Sequence, residues 1–120
     1  MQKDKDPTQP GEASPIDHAH LDSYTEGDRV LERELLDLFV SNADRYVAAL
    51  AVDADAAAWY SATHALKGSA LSIGAFTLAL LAEAAEMVPA GAAARAAARA
   101  SLTAALADVT AYVARRRAGD

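Results

Sequence analysis

Residues His64 to Ala75 read HALKGSALSIGA, and the fold follows from placing them on a helix that turns about 100° per residue. Trp59, Ala62, Leu66, Ala70 and Ile73 then recur at the three- and four-residue spacing of a buried stripe, with Ser69 at its edge. His64 faces the other way, together with Ala57, Tyr60, Lys67, Gly68 and Leu71. The histidine therefore has a cation three residues on and a bare backbone four residues on, both neighbours on a helix surface. A glycine in a helix interior costs about 1 kcal/mol against alanine. On a solvent-facing stripe no packing demand explains that cost, whereas the close approach of a large body to His64 does.

Working outward, Asp53 and Asp55 are the candidate N-caps of this helix, and Gly74 closes it after Ser72 or Ile73. Upstream, Asp28 caps a helix expected to run to about Leu50. It carries two apolar stripes about 100° apart. Leu31, Leu35, Leu38, Phe39, Tyr46 and Ala49 form the first; Leu36, Val40, Ala43, Val47 and Leu50 form the second. One stripe suffices for a bundle, so the second either packs under a preceding short helix or stays open as a docking surface. That short helix, capped near Ser14 or Asp17 and ending by Gly27, contains His18 and His20, read as two exposed histidines because positions i and i+2 diverge on a helix. Downstream, Ala75 to Val88 is apolar almost all round and is expected to be the most buried helix, ended by Pro89. A last helix runs from Ala90 to about Arg117, with Leu102, Leu106, Val109 and Val113 inward and Arg115, Arg116 and Arg117 complementing its C-terminal dipole.

This pattern predicts an all-α fold: an antiparallel up-down four-helix bundle over residues 16–117 with a short additional N-terminal helix. Residues 1–15, polar and proline-rich, are expected to form a disordered tail. The formal net charge of −6 argues against a nucleic-acid partner. With 13 acidic and 5 basic side chains in residues 1–58, against 4 and 6 in residues 59–120, the acidity is concentrated in the first half. No cysteine is present, which removes disulfide and thiolate chemistry. An export signal and an apolar run of about 20 residues are both lacking, so the expectation is a cytoplasmic protein without a membrane partner.

The motif resembles the signature of histidine phosphotransfer domains, with eight positions matched at His64, Leu66, Lys67, Gly68, Ser69, Ala70, Gly74 and Ala75. Leu78, Leu81 and Glu86 follow where that family tends to place Leu, Leu and Glu. Gly27, Asp28, Leu31, Leu35, Leu36, Phe39, Leu50 and Asp53 fit its upstream pattern. The resemblance covers roughly residues 16–115; Thr63 departs from the usual alanine and Ala82 from a common cysteine.

What the resemblance implies is a relay intermediate that takes a phosphoryl group from an aspartyl phosphate on one receiver domain and passes it to another. His64 would be the nucleophile and carrier, Lys67 would pair with phosphoryl oxygens, and Gly68 would leave room for the partner. A histidine in water titrates near about pH 6.5, so at neutral pH most copies carry the free lone pair this needs. Ser69, off the reactive face, is assigned to local helix hydrogen bonding. Tyr60 and Leu71 beside the histidine, and Leu36, Val40 and Val47 on the second stripe, are the candidate docking residues. The chain shows no phosphate loop and no acidic cluster for Mg²⁺. No cofactor of its own is therefore expected; the receiver would bring the Mg²⁺, and autonomous kinase activity is not expected. The implied partners are response-regulator receivers and a hybrid histidine kinase, met by a monomer. The alternative is a non-catalytic helical docking module that binds a receiver or kinase without carrying phosphate. A dimeric histidine-kinase phosphotransferase would need a longer hairpin and an attached α/β domain.

Overall fold

The structure, a computed structural model, describes residues 14–89 and 91–119. Most of the predicted tail, residues 1–13, lies outside the described residues. Six α-helices follow one another: α1 (His18–Thr25), α2 (Arg29–Ser41), α3 (Ala43–Ala49), α4 (Ala56–Ser72), α5 (Phe76–Glu86) and α6 (Ala92–Gly119). Among the described residues there is no strand, and no helix is long and apolar enough to cross a membrane.

Three helices start where the aspartates direct. Asp17 accepts from the His20 N–H, Asp28 from those of Val30 and Leu31, and Asp55 from that of Ala58. Each such cap satisfies an otherwise orphaned donor and is worth about 1 kcal/mol. α4 packs along α5, and α5 along α6; α2 lies against α1 and α6, and α3 against α4 and α6. Ala79, Ala82 and Ala85 are buried on α5, small enough to let its neighbours approach closely. Trp59 of α4 is buried and donates its indole N–H to the Ala85 carbonyl at 2.8 Å. Arg95 of α6 lies 5.0 Å over that indole and donates to the carbonyls of Val52 and Ala54, tying α6 to the loop that precedes α4.

The single long helix expected from Asp28 to Leu50 is two. Ser41 Oγ and Asn42 Nδ2 both donate to the Leu38 carbonyl, each at 3.0 Å. Such local side-chain donors compete with the backbone ladder, and α2 gives way to α3 at Asn42. Both stripes contribute to the core, the second more fully. Leu36 and Leu50 of the second stripe are buried, and Val40, Ala43 and Val47 pack half-buried on the core. Of the first stripe Phe39 is buried, but Leu38 is 60% exposed and Leu31 lies near the surface. Leu36 is therefore a core residue and not a docking residue, and Val40 and Val47 lean on the same core. α5 has the largest buried share of the six helices, with Leu78, Ala79, Ala82 and Ala85 inward, although Leu80 on it and Met87 just past its end are exposed.

The basic C-terminal run makes specific pairs. Arg116 donates to both carboxylate oxygens of the buried Glu32, and Arg117 Nη1 lies 3.0 Å from Asp37. His18 is not simply exposed: its Nε2 receives Arg116 Nη2 at 2.9 Å and its Nδ1 lies 3.2 Å from Tyr112 Oη.

Candidate functional site

α4 carries the site, and its buried face fixes the orientation of the other. Trp59, Thr63, Leu66 and Ala70 point into the core. Thr63 is fully buried, and its hydroxyl is satisfied by the carbonyls of Trp59 and Tyr60 on its own helix, which is how a threonine is accommodated there. With that face locked, His64 stands out from the bundle with its side chain 58% exposed.

Two neighbours set the imidazole plane. Tyr60, half exposed, stacks on the ring with centroids 5.3 Å apart and planes 14° from parallel. Glu86 at the end of α5 is 10% exposed and places Oε2 3.0 Å from His64 Nδ1. A carboxylate offers only acceptor lone pairs, so this contact requires the proton on Nδ1. The Nδ1–H then donates to Glu86, and in the neutral ring Nε2 carries the lone pair. Lys67 lies 3.9 Å from the same Glu86 oxygen and 4.0 Å from Glu83. Gly68 presents open surface: a Cβ there would meet nothing within 4 Å.

The structure thus brings Tyr60, His64, Lys67, Gly68 and Leu71 onto one exposed or half-exposed stripe. It does not bring Leu36 there. Sequence reasoning noted Glu86 only as a position of the signature; its contact with His64 spans 22 residues of sequence and two helices, beyond what helical periodicity reports. Phe76 and Leu80 were missed because α5 reads as apolar on every side. With Lys67, Leu71, Ala79 and Glu83 they line an open groove of about 220 Å³ beside the histidine. The Ser69 hydroxyl, expected to bond within its own helix, is instead the acceptor of Tyr46 Oη at 2.9 Å and links α3 to α4.

Away from this face, His18, Asp22 and Glu32 place possible metal-ligand atoms within 4.8 Å of one another. Two of them, His18 and Glu32, are bonded to the Arg116 guanidinium.

Fold and site together define a helical bundle that presents one oriented histidine, with a cation and an apolar groove beside it. The chain belongs to the Hpt domain family, whose model matches residues 34–118, and is thereby a histidine phosphotransfer domain of the kind that works in phosphorelays with receiver domains and kinases. Neither the comparison with curated proteins nor that with solved structures returned a match.

Proposed function

We propose that His64 is the phosphoryl carrier, accepting the group from the aspartyl phosphate of one receiver domain and delivering it to the aspartate of another. The observation that carries this reading is the Glu86 contact, which favours the proton on Nδ1 and leaves Nε2 as the nucleophile. In the forward step the Nε2 lone pair attacks phosphorus in line. The P–O bond to the receiver's carboxyl oxygen breaks, the electron pair leaves with the carboxylate, and the ring becomes cationic, its proton still on Nδ1 and hydrogen-bonded to Glu86. Transfer onward reverses these steps and returns a neutral imidazole. No proton has to leave the ring in either direction. Lys67 neutralises charge on the equatorial oxygens, where most of the stabilisation in phosphoryl transfer is needed, and the receiver supplies Mg²⁺ and its acidic pocket. Gly68, Tyr60 and Leu71, extended by Phe76 and Leu80, form the surface on which the receiver sits.

Incubation with a phosphorylated receiver is expected to label the protein with an acid-labile, base-stable phosphate, and His64→Gln to abolish the label. Label that persists in that variant, or appears on His18 or His20, excludes the assignment. Receiver binding without any label would favour the docking-module alternative.

A further inference from the structure

Lys67 already has partners in the unphosphorylated protein. Its ammonium sits between two carboxylates of α5, 3.9 Å from Glu86 and 4.0 Å from Glu83. Both distances exceed the roughly 2.7–2.9 Å of a charge-assisted hydrogen bond, so the lysine is held by charge and by neither acceptor tightly. The two carboxylates differ in what they lose if it leaves. Glu86 is 10% exposed and keeps the His64 Nδ1–H as partner. Glu83 is 58% exposed, and water replaces the lysine there at little cost.

With His64 neutral, the charges on this patch are Lys67, Glu83 and Glu86, one positive against two negative. A phosphoryl group on a side chain brings about −1.5 to −2 more at pH 7. Lys67, three residues from His64 on the same helix face, is the cation of the patch that can reach it. Building on the carrier reading, we infer that Glu83 is a positioning residue: it engages Lys67 in the unphosphorylated protein and yields it to the phosphoryl group once His64 is charged. Glu83 thereby sets how firmly the domain retains phosphate. A weaker hold on Lys67 shifts the transfer equilibrium towards phosphohistidine, and a stronger one shifts it towards the receiver. The covalent step is unchanged: P–N forms at Nε2 as P–O breaks at the receiver aspartate.

The test is the equilibrium constant for transfer between a phosphorylated receiver and the domain, measured from the four free species by phosphate-affinity electrophoresis. Because it compares free forms, changes in docking affinity cancel. An exposed ion pair of this kind is worth a factor of about two to five, so Glu83→Gln is expected to raise the constant by that factor with an unchanged melting temperature. The decisive control repeats the substitution in a Lys67→Ala background, where the effect should vanish. An unchanged constant for Glu83→Gln overturns the inference. So does an increase that survives in Lys67→Ala, because that would be direct repulsion between Glu83 and the phosphoryl group. Absence of any label on His64 defeats the carrier reading and this inference with it, whereas label on His64 without a Glu83 effect defeats the inference alone.

Discussion

Gly68 and Gly74 belong to one motif and answer opposite demands. At Gly68 nothing lies within 4 Å of where a Cβ would stand, so the bundle itself has no need of glycine there. At Gly74 φ is +80°, and a Cβ would come 2.9 Å from the Asp17 carbonyl oxygen, a backbone atom. The same residue accepts the Asp17 N–H at 2.8 Å, so the turn after α4 and the start of α1 are in direct contact. Gly68→Gln is therefore expected to add about 0.5 kcal/mol of helix propensity while slowing phosphotransfer, since its side chain stands where the receiver must approach. Gly74→Ala is expected to cost about 1–3 kcal/mol through backbone strain and to leave transfer by the folded fraction intact. Thermal melts paired with single-turnover transfer separate the two; a Gly68→Gln protein that is stabilised and fully active would show that no partner crosses this residue.

Among the elements, α2 and α5 show what helical period can and cannot decide. Leu36 of α2 is 2% exposed and Leu80 of α5 is 67% exposed, though Leu36 is flanked by Arg33, Glu34 and Asp37 whereas Leu80 lies in an apolar run. Leu36→Asp removes core contacts and buries a charge, so it is expected to cost more than about 3 kcal/mol. Leu80→Asp should leave the melting temperature nearly unchanged and weaken receiver binding by titration calorimetry, because it places a charge in the groove beside Lys67. Unaltered affinity in Leu80→Asp would remove α5 from the docking surface. Helix starts were legible from Asp17, Asp28 and Asp55 because a cap is a local event. The inward face of α2 was not legible: its inner stripe begins with a charged residue, Glu32, whose burial makes sense only once Arg116 arrives from the far end of the chain. The reactive stripe of α4 was legible because His64, Lys67 and Gly68 share one helix. Glu86 required knowing how α5 lies against it.

Across the whole molecule, the N-terminal segment acts as a strap between distant parts of the bundle. Ile16 and Leu21 are fully buried, the Asp17 backbone is bonded to the turn after α4, and His20 meets Phe76 edge to face at 5.1 Å. At its other contact His18 joins the Arg116–Glu32 pair that couples α6 to α2. The hydrogen bond from Arg116 holds the Glu32 carboxyl below the ordinary glutamate value of 4.5; burial opposes it, and the charges of Arg116, His18 and Arg29 add to the lowering. A carboxyl whose folded-state pKa is depressed releases its proton more readily folded than unfolded. Its stabilising contribution is therefore complete above the unfolded value and is lost as pH falls through the folded one. Below about pH 4.5 the wild type should thus lose stability more steeply than Glu32→Gln, which has no proton to take up at this position, while near neutral pH the wild type should be the more stable by about 1.5–3 kcal/mol, the worth of a hydrogen bond to a charged group. Urea denaturation at a series of pH values from 7 to 3 measures both, other carboxylates contributing equally to the two proteins. Parallel stability curves for wild type and variant would mean that the Arg116–Glu32 pair does not hold α6 to α2, and that the strap depends on the apolar contacts of Ile16 and Leu21 alone.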